Sequence, residues 1–73
     1  MSSLMIPYNV RKLDSGEYMP FLPSHPYIGC PCVGTRDQAM AYIAHQMGMT
    51  LADLKQGLRE RSLKLEVSPY ARR

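Results

Sequence analysis

A threonine and a glutamine three residues apart, Thr35 and Gln38, constrain the fold of this chain more than any other feature of its sequence. They form a capping box, in which the threonine hydroxyl accepts the Gln38 amide hydrogen and the glutamine side chain reaches back to the threonine backbone. The apolar residues that follow repeat at helical spacing as far as Gly48, and a glycine at such a position ends a helix. We therefore predict a helix that begins after Thr35 and ends at Gly48.

A second helix and a final strand are predicted after the first helix. Thr50 can cap the second helix, and leucines at helical spacing along residues 51–58 give it one apolar face to about Arg61. Gly57 weakens this helix, because glycine is a poor helix former. Residues 63–68 then alternate apolar and polar side chains, which predicts a strand with one buried face.

The amino-terminal part of the sequence predicts a β-hairpin over residues 5–22. Ile6, Tyr8 and Val10 would share one face of its first strand, because side chains two residues apart point to the same side. Residues 14–16 read Asp-Ser-Gly, which is typical of a type I turn closed by a left-handed glycine. The chain would then return as the second strand of the hairpin.

Prolines restrict the structure that follows. Pro20 limits the returning strand to a sheet edge or a bulge, because proline has no amide hydrogen to donate. Residues 23–34 contain three prolines and two glycines, which exclude a helix, and we place a short third strand at about residues 30–33. The order of elements predicts an α+β fold. Its small antiparallel sheet would combine the N-terminal hairpin, the short third strand and the C-terminal strand, packed against one or two helices.

Length and charge limit the classes of protein to consider. The 73 residues suffice for one domain, residues 1–73, and carry a formal net charge of +3. No apolar run approaches the ~20 residues that span a bilayer, and the beginning of the chain lacks the features of a signal peptide. We expect a cytoplasmic protein without membrane contact, whose thiols stay reduced. The mild positive charge permits contact with nucleic acid without indicating it.

Two cysteines flank a single proline and raise the question of a metal or redox site. Four residues offer ligand atoms for a zinc ion: His25, Cys30, Cys32 and His45. Structural zinc motifs usually place two to four residues between paired cysteines, so this spacing disfavours zinc. A disulfide across Cys-Pro-Cys would close a strained ring. We expect no cofactor and one cysteine packed as a small hydrophobe, with the zinc site as the alternative.

The remaining residues bear on catalysis and on DNA binding. Nothing in the sequence combines a nucleophile with a base and an orienting acid, so we expect no enzymatic activity. Ala44 and Gly48, with the apolar residues around them, resemble a helix-turn-helix pattern, although Gly57 stands where that pattern has a branched apolar residue. In this alternative the second helix would meet DNA through its polar residues, Lys55, Gln56, Arg59 and Arg61.

A series of short motifs over about residues 6–45 resembles the amino-terminal domain of HicB-type antitoxins. The motifs follow in the order of that family: a tyrosine-led strand, an acidic-glycine turn with tyrosine, a proline-rich bend, Gly-Cys, and a glycine and threonine before a helix. They are carried by Tyr8, Asn9, Val10, Asp14, Gly16, Glu17, Tyr18, Phe21, Pro23, Pro26, Gly29, Cys30, Gly34, Thr35 and Ala39. The sequence lacks the family's aspartate between Gly34 and Thr35, has Gln38 in place of the common glutamate, and inserts a second helix before the last strand.

The resemblance implies both a fold and a partner. In the family, the domain has a small ribonuclease-H-like β-β-β-α-β fold without catalytic acids, and it binds a toxin that cleaves messenger RNA. A HicB-like domain over residues 1–73 would use Cys30 structurally, in the strand that leads into the capped helix, and leave Cys32 without a role. A separate DNA-binding domain often follows in the family, and we expect none within a chain of this length.

These observations predict a small non-enzymatic binding protein that neutralises or regulates a macromolecular partner, as an antitoxin does. The partner would be a protein, such as a toxin, or a host complex if the chain is a phage- or plasmid-borne inhibitor. A helix-turn-helix regulator is the other alternative. Aromatic side chains make good interface anchors, which points to Tyr18, Phe21 and Tyr27 as partner-binding residues. An unpaired strand edge, in the first strand or in residues 63–68, would also allow a homodimer.

Overall fold

A computed structural model describes residues 3–25 and 27–67 of the chain. It contains two helices and two pairs of strands, which confirms the predicted α+β class. The elements follow in the order β1 (Leu4–Ile6), β2 (Asn9–Lys12), β3 (Tyr18–Phe21), α1 (Arg36–Gln46), α2 (Leu51–Arg59) and β4 (Leu63–Leu65). Neither helix in this part of the chain has the length and apolarity needed to cross a membrane.

The first helix begins and ends as its capping residues predict. The Thr35 hydroxyl accepts the Gln38 amide hydrogen over 3.1 Å, and the Gln38 side chain accepts the Thr35 amide hydrogen over 3.1 Å. Gly48 has a φ of +73°, the left-handed conformation that turns the chain away after the last helical residues. The groups that mark the two ends of α1 thus lie within a few residues of each end.

The second helix also begins as predicted but ends earlier. The Thr50 hydroxyl accepts the Asp53 amide hydrogen over 3.1 Å, which confirms Thr50 as its N-cap. The helix stops at Arg59, because Arg61 adopts a φ of +64° and leaves the helical conformation. The prediction of a helix to about Arg61 was therefore two residues too long.

The hairpin forms around the predicted turn. β2 and β3 pair antiparallel, with Val10 opposite Pro20, and Gly16 closes the turn with a φ of +94°. The backbone of Tyr18 bonds to Val33 on the side away from β2. Because backbone groups alternate along a strand, Pro20 also turns its nitrogen away from β2. This arrangement accommodates a proline in β3, as predicted for an edge strand.

Three features of the sheet differ from the prediction. The predicted first strand of the hairpin is split at Pro7, so that Ile6 lies in β1 and the hairpin starts at Asn9. β4 does not join the hairpin in one sheet: it pairs with β1 in a separate two-stranded sheet, and this pairing is parallel rather than antiparallel. The two helices between them carry the chain back to the same end of the sheet, which produces a parallel neighbour. The third strand is reduced to one bridge at Val33.

The core lies between the strands and the two helices. α1 packs on β2 and β3, whereas α2 packs on β4 and on α1. Among the described residues, the buried side chains at the centre of this core are apolar: Ile6, Met40, Ile43, Ala44 and Leu54. Gly57 brings α2 very close to β4, since a β-carbon built on it would lie 2.5 Å from Leu63 Cγ. The glycine that weakens the helix by propensity therefore permits its packing.

Candidate functional site

A groove of about 510 Å³ lies beside the last strand, where the beginning of α1 and the end of α2 approach it. Its lining combines cationic and apolar side chains, namely Arg36, Leu58, Arg61, Leu63, Lys64 and Leu65. Three consecutive residues of β4 take part, although their side chains alternate between the two faces of the strand. Ser3, in the segment before β1, also lines the groove, and β1 occupies one edge of β4.

The cations of the groove come from three different parts of the fold. Arg36 is the first residue of α1, Arg61 follows the end of α2, and Lys64 is exposed on β4. Within residues 3–25 and 27–67, the only ion pair joins Lys55 to Asp37, with a nitrogen–oxygen distance of 3.1 Å. The groove cations thus have no carboxylate within salt-bridge distance in the described part of the chain, and their charge is available to a bound anion.

Arg61 holds an unusual backbone conformation at one end of the groove. Its φ of +64° costs a residue with a β-carbon roughly 1–2 kcal/mol, and glycine is the usual choice at this position after a helix. The Arg61 carbonyl accepts a hydrogen bond of 2.6 Å from the Ser3 hydroxyl, which ties this turn to the chain segment before β1. Arg61 therefore adopts this backbone conformation at a cost in free energy that a glycine would not have.

The backbone of β4 has hydrogen-bonding groups that β1 does not use. The Leu4 amide donates to Ser62, and the Glu66 amide donates to Ile6, each over 2.9 Å. This parallel ladder uses every second residue of β4, so the N–H and C=O groups of Leu63 and Leu65 point away from β1. Neither leucine has a backbone partner among the described residues. β4 therefore has an edge with open donors and acceptors at Leu63 and Leu65, two of the residues that line the groove.

The three predicted aromatic anchors do not lie together. Tyr18 shares the helix-facing side of the hairpin with Lys12, whose ammonium lies 6.0 Å from its ring centroid. Phe21 lies on the opposite side of β3, where Arg11 sits 5.8 Å from its ring. Tyr27 is in the bend after β3 with 82% of its surface exposed. Of these three residues, Tyr27 offers the largest apolar surface to a partner.

The structure does not assemble the alternative zinc site. Within residues 3–25 and 27–67, no three histidine, cysteine or acidic side chains come close enough to hold a metal ion. His25 instead stacks edge-to-face with Tyr27, with ring centroids 6.2 Å apart, and His45 is exposed on α1. The zinc alternative, which needed His25, Cys30, Cys32 and His45 together, is not supported by this geometry.

The two cysteines have different surroundings. Cys30 is half-buried and Cys32 is exposed, and both thiols are free. Cys30 lies beside Tyr42 of α1, whose ring meets Tyr8 edge-to-face with centroids 6.4 Å apart. Burial raises the pKa of the Tyr42 hydroxyl above its ordinary value, and the neighbouring Cys30 and Tyr8 raise this pKa further. Cys30 thus packs among aromatic side chains, whereas Cys32 turns to solvent.

The residues of the helix-turn-helix alternative are dispersed or paired. Lys55 is bound to Asp37, and the Gln56 amide donates to the Glu60 carboxylate over 2.9 Å. Arg59 is exposed on the last turn of α2, and Arg61 lies beyond the helix in the groove. The helix therefore offers a mixed-charge surface rather than one row of cations for a phosphate backbone.

Sequence reasoning found part of the groove and missed the rest. Arg61 was predicted only as a DNA contact, residues 63–68 were predicted as a possible strand edge, and Arg36 was not predicted as a site residue. The groove combines residues from the beginning of α1, the end of α2 and β4, so no local sequence pattern predicts it. The excess of basic residues near the last strand was the one signal that indicated a cationic site there. No protein-family model matches the chain, and no curated protein or solved structure matches it at a significant level.

Proposed function

We propose that this chain is a small binding protein that neutralises or regulates a protein partner by covering part of its surface, in the way of a HicB-type antitoxin. The observation that carries the proposal is the apolar surface that remains in solvent. Tyr27, Leu4 and Val67 are 82%, 61% and 60% exposed in a chain with a small core. A contiguous exposed apolar patch marks an interaction site, and we propose that Tyr27 and its exposed neighbour Ile28 form such a patch.

The order of the elements supports the comparison with HicB-type antitoxins. The chain runs through the segment of β1 and β2, then β3, the bridge at Val33, the capped helix and a last strand. This order is compatible with the β-β-β-α-β order that the sequence resemblance implies, with α2 as an additional helix. The partner expected from the resemblance is a toxin that cleaves messenger RNA, and a host complex is the alternative.

A photo-crosslinking experiment in the source cells tests the proposal. A benzophenone amino acid replaces Tyr27 in one version of the chain and Ala52, exposed on α2, in the matched control. We expect one dominant protein adduct from position 27 and none from position 52, and the mass of the adduct separates a small toxin from a large host complex. Equal labelling from both positions, or no protein adduct from position 27, would contradict the proposal.

A further inference from the structure

We propose that the groove beside β4 binds an extended acidic segment of the protein partner, which adds to the sheet as a strand next to Leu63 and Leu65. The inference rests on the proposed function, since it names the chemistry of the partner segment. The groove combines an open strand edge, three cations and a wall of leucine side chains. Each of these features restricts what can bind there.

The open edge favours an extended peptide. The backbone groups of Leu63 and Leu65 point away from β1 and have no partner among the described residues, and both residues line the groove. Peptides that pair with such an edge gain main-chain hydrogen bonds, while pockets beside the edge select their side chains. A bound segment would thus become a further strand on the outer side of β4.

The charge of the groove favours an acidic occupant. Arg36, Arg61 and Lys64 come from separate elements and converge on one side of the strand. A second copy of this chain is a poor occupant, because pairing β4 with itself would place cations against cations across the new sheet. A segment with aspartate or glutamate residues instead complements the groove along its length.

The apolar wall favours a peptide over nucleic acid. Leu58, Leu63 and Leu65 are half-buried and leave part of their surface in the groove. Single-stranded nucleic acid is usually held by aromatic side chains on which the bases stack, and no aromatic residue among the described ones lines this groove. Valine or leucine side chains that alternate with acidic ones would fill the wall and reach the cations together.

Amide hydrogen exchange with defined peptide probes tests the inference on the full chain. The probe is a short peptide of alternating valine and glutamate, blocked at both ends. One control peptide has lysine in place of glutamate, and another carries backbone methyl groups on alternate residues. We expect the Leu63 and Leu65 amides to exchange fast in the free protein and about tenfold more slowly with the acidic probe. Neither control peptide should slow them.

Two substitutions separate the groove from other cationic surfaces. Arg61→Gly removes a groove cation and suits the left-handed backbone, so folding is preserved while the affinity for the acidic probe falls about threefold or more. Lys64→Glu should lower this affinity about tenfold, whereas Lys12→Glu on the hairpin is the matched control and should leave it unchanged.

Several results would overturn the inference. The first is that the Leu63 and Leu65 amides still exchange fast with the acidic probe. The second is that Lys64→Glu and Lys12→Glu lower the affinity for this probe equally. The third is that an oligonucleotide slows the exchange of these amides and the peptide does not. If one of these occurs while the cross-link at Tyr27 still forms, the groove inference fails and the proposed function stands. If the acidic probe protects the edge and no cross-link forms, the proposed function fails and the groove remains a peptide site.

Discussion

Replacing Gly57 with alanine should destabilise the protein although alanine is the better helix former. The substitution gains about 1 kcal/mol of helix propensity in an interior position. The added β-carbon, however, would overlap Leu63 Cδ1 and lie 2.5 Å from its Cγ and 3.2 Å from its Cβ. Relief of this overlap requires Leu63 or the backbone of β4 to move, and overpacking of this kind costs about 1–3 kcal/mol. We expect a net loss of about 1 kcal/mol of folding free energy.

A double-mutant cycle with Leu63→Ala isolates the contact. Truncation of Leu63 removes the two closest atoms, so Gly57→Ala should become neutral or stabilising in that background, with a coupling energy of about 1–3 kcal/mol. Urea denaturation followed by far-ultraviolet circular dichroism measures each variant. Gln56 is the neighbouring exposed position of the same helix. The difference in the free energy of unfolding between Gln56→Gly and Gln56→Ala gives the difference in helix propensity between glycine and alanine there.

The reasoning is refuted by one outcome in particular. If Gly57→Ala stabilises the unmodified chain as much as the Gln56 pair predicts, and Leu63→Ala does not change that effect, the close approach of α2 to β4 does not constrain residue 57.

Three further predictions concern the cap of α1, the strained backbone of Arg61 and the half-buried Tyr42. Thr35→Ala should cost about 1 kcal/mol in urea denaturation, whereas Thr35→Ser should cost much less, because it keeps the hydroxyl that caps α1; an unchanged stability in Thr35→Ala would contradict this. Arg61→Gly should stabilise the chain by about 1 kcal/mol by relieving its left-handed backbone, and a loss of stability would contradict that reading. The raised pKa of Tyr42 means that its contribution to stability is complete below the ordinary tyrosine pKa and is lost as the pH rises through the folded value. In an absorbance titration, Tyr42→Phe should remove the tyrosine phenolate that forms at the highest pH. If the substitution instead removes a phenolate that forms near the ordinary tyrosine pKa, the raised pKa of Tyr42 is contradicted.

The local signals of the sequence predicted the local parts of the fold. Thr35 and Thr50 cap the helices as expected, and the turn at Gly16 produces the hairpin. In each case the groups that hydrogen-bond are a few residues apart, so their spacing in the sequence contains the required information. The α+β class followed from the same signals.

The long-range parts of the fold could not be obtained in this way. The split of the first strand at Pro7 and the parallel pairing of Leu4 with Leu63 depend on contacts between the two ends of the described chain. By its helix propensity, Gly57 is a weak point of α2. Its close approach to Leu63 explains why a glycine fits at this position. The groove is formed by the beginning of α1, the end of α2 and β4 together, so the sequence predicted only part of it.

The parallel pair of β1 and β4 has a consequence for how the chain is made. During synthesis β1 emerges before β4, its neighbour in the sheet, so the pairing of β1 cannot be completed until residue 66 has left the ribosome. Contacts between such distant segments slow folding and leave apolar residues uncovered in the meantime. The hairpin and α1, which need only local contacts, can form earlier. A nascent chain stalled before Leu63 would therefore leave Ile6, which is fully buried in the folded protein, open to the chaperones of the cell.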